Sequence, residues 1–336
     1  MLARVFHAWE RALLAETTNR VVRPFDWGLD WIGADVAAAP EGPRAFAEWV
    51  ESTMRDSDRF YDAGVTPSYE VDEDGWVRFP SALSTRCPEN DTVHARYFPS
   101  ARNPKKRAVV VLPQWNADID GHVGLCRLLT RFGMSALRLS LPYHDRRMPP
   151  ELQRADFIVS ANVGRTLQAN RQAVVDAKRA VSWLESRGYE RIGILGTSLG
   201  SCLSLLTMAH DPRIRVGALN HVSPYFADVV WRGASTEHVR EGLEGHIDLD
   251  QLRRLWWPIS PWPYLDRLRE RKSLLVYALY DLTFPLDLSL TLVDEFARRR
   301  IPHEVAVLRC GHYTTGKTPF KWIDGYHLTK FLATNL

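Results

Sequence analysis

The sequence predicts an α/β protein: a mostly parallel sheet of about eight strands with helices on both faces. Three observations carry this expectation. Short continuous apolar runs recur along the chain, each the length of a strand buried on both faces. Helical patterns with a period near 3.6 fall between most of them. The two kinds of segment alternate from residue 108 onward, which implies parallel strands joined by crossover helices. With 336 residues, 45% of them hydrophobic and 25% charged, the chain is long enough to bury one large core, and it is unlike a disordered, collagen-like or coiled-coil sequence.

Residues 1–74 read as an N-terminal helical extension packed on the core, punctuated by Pro24, Pro40 and Pro43. Leu2, Val5, Phe6, Trp9 and Leu13 recur at helical spacing, whereas Arg4, Glu10, Arg11 and Glu16 interrupt the run, so it is not a secretory signal. A helix packed on its own domain is the expectation, and a helix lying on a membrane surface is the alternative. From Gly75 the pattern changes. Trp76–Pro80 and Thr92–Phe98 read as two exposed edge strands, and the buried runs follow at 108–112, 135–139, 192–195, 216–219, 274–278 and 305–308. Val163, Leu167, Val174, Val181 and Leu184 mark the clearest helix, Leu199 to Ala209 a second, and Trp322, Ile323, Tyr326 and Phe331 shape the last. Residues 75–336 thus form the main domain. Only 224–268, rich in Trp, Pro and charge, breaks the alternation, and it reads as a cap-like insert over the C-terminal edge of the sheet.

Composition narrows the function classes. Forty-three basic and forty acidic residues give no bulk charge to hold nucleic acid. Cys87, Cys126, Cys202 and Cys310 lie far apart without metal-ligand spacing, which predicts neither a disulfide framework nor a zinc site and suits a reducing, cytoplasmic compartment. No apolar stretch approaches the roughly 20 residues of a membrane span. Neither a GxGxxG nor a P-loop is present, so no metal or organic cofactor is expected.

Chemistry concentrates in three places. Gly196-Thr197-Ser198-Leu199-Gly200 follows a strand and opens a helix, the context of a nucleophile elbow, with a helix-capping serine in a tight loop as the alternative. Tyr280-Asp281 follows the 274–278 strand, with Pro285 opening the next helix, and Cys310-Gly311-His312 follows the last strand. A serine hydroxyl needs a base near neutral pKa, and that base needs a carboxylate to fix its tautomer. Ser198, Asp281 and His312 supply these groups in the order Ser, Asp, His. Asp287 and Asp294 are poorer acids because they lie inside the next helix, and His221 paired with Asp228 fails on chain order.

With its elbow, Asp281 followed by Phe284-Pro285, and the Gly311-His312 pair, the chain from about residue 75 to 336 resembles the alpha/beta-hydrolase superfamily, and within it largely uncharacterised hydrolases of the serine-esterase branch. The resemblance implies Ser198 as nucleophile, Asp281 as acid and His312 as base. It departs from the family after the third strand: where many relatives have His-Gly, this chain has Pro113-Gln114-Trp115-Asn116. By position, the oxyanion-hole amides come from Leu199 and from Trp115 or Gln114, with the Gln114 and Asn116 side chains as substitutes.

Lesser candidates are His144, Arg146 and Arg147 after the fourth strand, which reach for substrate or form a solvated loop with its own salt bridges. His221 is placed to line the pocket, His122 reads as a surface residue, and Trp231, Trp256, Trp257 and Trp262 either wall an apolar acyl site or attach the insert to the body. The expected activity is hydrolysis of an ester or related acyl bond of a small molecule through an acyl-enzyme, as in a carboxylesterase. An acyltransferase or thioesterase on the same machinery is one alternative, and a non-catalytic binding protein whose oxyanion hole was lost at Pro113-Gln114 is another.

Overall fold

The computed structural model describes residues 2–39 and 41–336. Its sheet has nine strands: β1 (Glu70–Val71), β2 (Trp76–Pro80), β3 (Thr92–Phe98), β4 (Arg107–Leu112), β5 (Ser135–Leu139), β6 (Arg191–Thr197), β7 (Ile214–Asn220), β8 (Lys272–Ala278) and β9 (His303–Leu308). They lie in the order β1-β2-β3-β5-β4-β6-β7-β8-β9. Pairing is antiparallel from β1 through β3 to β5 and parallel for every pair beyond. The ninth strand is the two-residue β1, too short to leave a sequence pattern.

The helices are α1 (Leu2–Ala15), α2 (Leu29–Ile32), α3 (Ala34–Ala37), α4 (Gly42–Arg55), α5 (Ser57–Phe60), α6 (Val123–Arg131), α7 (Val163–Ser186), α8 (Leu199–His210), α9 (Phe226–Arg232), α10 (Glu237–Leu243), α11 (Leu249–Leu255), α12 (Leu286–Arg298) and α13 (Phe320–Asn335). Alternation along the central strands feeds two layers. Val110, Leu112 and Ile194 join α7 and α8 on one face; Val109, Val111 and Leu195 meet α6 and α13 on the other. α7 begins where the Asn162 side chain accepts the Arg165 N–H at 2.8 Å, one of the donors a helix start leaves free. Phe46, Val50 and Tyr61 of the N-terminal region belong to the first layer's core. Among the described residues no helix is long and apolar enough to cross a membrane.

Two expectations change. β2 and β3 are not exposed: Trp76, Val77, Phe79, Val93 and Ala95 are buried, with the last four in the same core as the N-terminal helices. α13 buries Leu328, Phe331 and Leu332 but leaves Trp322, Ile323 and Tyr326 in solvent, so of the four residues that shape this helix in the sequence only Phe331 faces the core.

Strand order positions the site. From β4 the chain moves outward to β5 and then returns to β6 on β4's other side, so the loops after β4 and β6 diverge. The crevice between their carboxyl ends is where open α/β sheets hold ligands.

Candidate active site

Ser198 sits at the tip of that crevice, between β6 and α8, with φ 56° and ψ −120°. This is a left-handed conformation that costs a non-glycine residue energy. The flanking glycines are required by space. A Cβ on Gly196 would collide with the Gly200 carbonyl, and one on Gly200 with the Leu112 carbonyl. The Ser198 N–H donates to the Asn220 carbonyl at 2.8 Å, and the Ser201 hydroxyl ties the Ser198 and His221 carbonyls together at 2.7 and 2.6 Å. These bonds lock the elbow to the end of β7.

Asp281 lies just beyond β8 and is saturated with donors. Its Oδ1 accepts the N–H groups of Thr283 and Phe284 at 2.8 and 2.7 Å. Its Oδ2 accepts Nδ1–H of His312 at 3.0 Å and Nδ1–H of His221 at 2.8 Å. Burial pushes the carboxyl up, but the two imidazoles outweigh it and hold the group well below the usual carboxylate range. With Nδ1 donating, Nε2 is the basic nitrogen of His312. Burial lowers that ring's pKa; Asp281, by charge and hydrogen bond, and then Glu10 outweigh it and leave it raised. Phe284 stacks parallel on the ring at 5.4 Å.

In the sequence Glu10 only interrupts the apolar run of the first helix. It is 1% exposed, and its two carboxylate oxygens accept the N–H groups of Tyr313 and Thr314 at 3.0 and 2.7 Å. On the same helix Phe6 stacks on Tyr280 at 4.7 Å. α1 therefore braces both loops, the one carrying Asp281 and the one carrying His312. The sequence held one signal of this: a glutamate at the core-facing position of an amphipathic helix, which must find donors when buried.

His221 is the second residue the sequence under-reads. It was placed in the pocket without a role; in the structure it shares Asp281 with His312, their rings 4.3 Å apart. Asp228, its partner in the rejected pairing, instead binds Arg253 at 2.5 Å. His221, Asp281 and His312 place their ligand atoms within 4.8 Å of one another. Both Nδ1 atoms face the carboxylate at hydrogen-bond length, so the two imidazoles share one carboxylate oxygen.

The loop after β4 is fixed by His144, which is 1% exposed, lines the cleft and spends both ring nitrogens on the backbone. Its Nδ1–H donates to the Pro142 carbonyl and its Nε2 accepts the Asn116 N–H, each at 2.9 Å. Burial lowers its pKa to about 4, so it stays neutral. Asn116 adopts φ 60° and accepts the Ala155 N–H on Oδ1 at 2.8 Å, and the Trp115 indole donates to the Ala155 carbonyl at 2.9 Å. Among the described residues the backbone N–H groups of Gln114, Trp115 and Leu199 donate to no protein acceptor.

Two spaces meet at Ser198. A cleft of about 1420 Å³ is lined by Ser198, His312, His221, Gln114, Trp115 and Asn116 among others. An apolar pocket of about 50 Å³ opens between Ser198 and the insert, walled by Leu199, Cys202, Phe226, Val229, Val230 and Phe284. Among the described residues no hydrogen bond joins Ser198 to His312; both face the cleft.

Other candidates resolve differently from expectation. Trp257 lines neither space and stacks on Tyr225 at 6.3 Å, while Trp256 is fully buried with its indole on the Val163 carbonyl at 3.0 Å. These tryptophans attach the insert. His122 is not a surface residue: it is half-buried, lines the cleft and shares a 2.9 Å hydrogen bond with Thr197. Arg147 is fully buried on Asp176 at 2.9 Å, because its chain threads between β3 and α7, and only Arg146 reaches the cleft. Asp287 is spent on Arg232 at 2.8 Å.

No protein-family profile matches the chain, and no curated protein matches it in sequence. Solved structures do match in fold. Acetyl xylan esterase 1 from Thermoanaerobacterium sp. JW/SL YS485 superposes with a TM-score of 0.61 at 16% identity, over 92% of this chain and 99% of that one. The acetyl xylan esterase from Paenibacillus sp. R4 gives 0.61 at 16%, over 97% and 99%. The acylaminoacyl peptidase from Pyrococcus horikoshii gives 0.59 at 15%, over 80% of this chain and 42% of the peptidase, so the chain spans less than half of that protein. The protein has the alpha/beta-hydrolase fold.

Proposed function

We propose that the protein is a serine hydrolase that cleaves an ester or related acyl bond through an acyl-enzyme intermediate. The observation that carries this is the pairing of an oriented imidazole, His312 on Asp281 at 3.0 Å, with a strained serine in one cleft. His312 Nε2 takes the proton as Ser198 Oγ attacks the carbonyl carbon. The oxyanion that forms is met by the free N–H groups of Leu199 and Trp115, each such donor being worth about 3–4 kcal/mol. His312 then passes the proton to the leaving oxygen, and a water repeats the sequence to release the acid. Asp281 steadies the imidazolium at each stage. The open Ser–His contact is common before substrate arrives and closes in the complex.

The acyl group belongs in the small apolar pocket, because that space abuts Ser198 and Leu199 without reaching His312. A volume of about 50 Å³ admits an acyl chain of only a few carbons. A panel of chromogenic esters graded by chain length, run beside a thioester and a peptide, tests this reading. Acetyl and propionyl esters are expected to exceed a decanoyl ester by about 100-fold or more in kcat/KM. Equal rates across the series, or turnover of the peptide alone, contradict it.

The sign of the pH dependence follows from His312. The protonated ring cannot accept the serine proton, so kcat/KM rises with pH through the free-enzyme pKa, which lies above the roughly 6.5 of free imidazole. Removing the Glu10 charge with Glu10→Gln removes one raising influence, so the acid limb moves to lower pH. A limb that stays in place after this substitution shows that Glu10 acts on the loop's geometry alone.

A further inference from the structure

We infer that the alcohol half of the ester carries a carboxylate or phosphate, held by a basic arm of the cleft between α6 and α13. This rests on Ser198 being the nucleophile, as proposed above.

The two halves of the substrate are sorted by where His312 lies. That ring must protonate the leaving oxygen, so the alcohol occupies the space His312 lines, which is the large cleft and not the acyl pocket. One stripe of α6, Gly124, Arg127, Leu128 and Arg131, follows the i, i+3, i+4, i+7 spacing of a single helix face and walls this cleft. Lys321, Trp322 and Gly325 of α13 line it as well. A Cβ at Gly325 would lie 3.6 Å from the Leu128 side chain, an ordinary contact distance, so α6 and α13 approach each other here.

Those cations are free. Among the described residues no carboxylate lies within ion-pair distance of Arg127, Arg131 or Lys321, whereas some surface arginines are paired, as Arg232 is to Asp287 and Arg253 to Asp228. Asp118, Asp145 and Asp324 are the acids that line the cleft, and arginine and lysine outnumber them there. Asp145 binds Arg138 at 2.6 Å, and Asp324 accepts from Asn220 at 2.8 Å. The whole chain carries nearly equal numbers of basic and acidic residues, so this excess is local. A positive wall in the cleft that Ser198 also lines concentrates anionic substrate there and repels cationic substrate. Arginine also presents paired N–H donors to a carboxylate or phosphate. Trp322, 65% exposed with the Lys321 ammonium 5.2 Å over its ring, offers the carbon skeleton of such an alcohol a flat face.

The test keeps the acyl group constant and varies the alcohol's charge: phenyl acetate, 3-acetoxybenzoate, 3-acetoxyphenyl phosphate and 3-acetoxy-N,N,N-trimethylanilinium, each rate normalised to its alkaline hydrolysis. At low salt kcat/KM for an anionic ester is expected to exceed that for phenyl acetate by about tenfold or more, with the cationic ester slowest. The advantage shrinks as salt is raised toward 1 M, where screening acts within about 3 Å. The combined variant Arg127→Ser, Arg131→Ser, Lys321→Ser lowers the anionic-to-neutral ratio. These side chains are exposed, and an unchanged melting temperature separates this effect from misfolding. The carboxylate and phosphate arms identify which anion is preferred. The inference is overturned if the neutral or cationic ester equals the anionic ones, or if the triple variant keeps the wild-type ratio. If wild-type protein hydrolyses none of the four, the parent proposal fails instead.

Discussion

Ser198→Ala is expected to leave the fold intact and to lower turnover of a short-chain ester by about 10⁵–10⁶-fold. Both halves follow from the serine's surroundings. Its hydroxyl makes no hydrogen bond to the protein among the described residues, so removing it orphans nothing. The bonds that hold the elbow run through its backbone: the N–H to Asn220 and the carbonyl to Ser201. Alanine tolerates the 56° φ no worse than serine does, so thermal midpoints of the two proteins are expected to agree within a few degrees. Turnover falls because, of the two serines that line both cleft and acyl pocket, Ser198 and Ser235, only Ser198 stands on the elbow at the start of α8; Cys202 faces the pocket, but burial pushes its thiol well above the usual range and keeps it protonated. Comparable activity in the variant would place the nucleophile elsewhere.

Asp281→Asn is expected to cost about 10⁴-fold in kcat and, unlike the serine change, to destabilise the protein. The carboxylate accepts four N–H donors, two from backbone and two from imidazoles. An amide has one accepting oxygen, so in either orientation its NH₂ faces groups that are themselves donors. Buried polar groups left unpaired in this way cost about 1–3 kcal/mol each. The histidines escape by taking the other tautomer, and that places the His312 proton on Nε2, where the serine needs a lone pair. Loss of activity with unaltered stability would contradict this account of the four-donor carboxylate.

How far the sequence disclosed this site depends on the range of the interaction. The elbow was legible because its constraint is local: the glycines must sit two residues either side of the serine for the turn to close. Asp281 and His312 were legible because a strand's end is marked by the strand before it, and the buried runs 274–278 and 305–308 are unambiguous. His221 sits at an equally clear strand end. Its role was hidden because it depends on a carboxylate 60 residues away, already assigned to another imidazole. Glu10 lies 303 residues from the N–H it accepts at Tyr313; no periodicity encodes such a contact. The loop at Pro113-Gln114 shows a third kind of limit. Its departure from the family's glycine pair put the oxyanion hole in question, yet the free N–H groups are there because His144, Asn116 and Ala155 hold the backbone from outside the motif. Trp322 was misread because helical spacing identifies a stripe but not which side of the helix the core lies on; His122 precedes α6, where no spacing signals that its side chain turns into the cleft.

The account turns on one covalent event, so the most direct measurement is peptide mapping by mass spectrometry after treatment with a fluorophosphonate. A single phosphonyl adduct on Ser198, formed far more slowly in His312→Ala, is the predicted result. An adduct on any other residue, or no adduct while a reference esterase in the same tube is fully labelled, would contradict it.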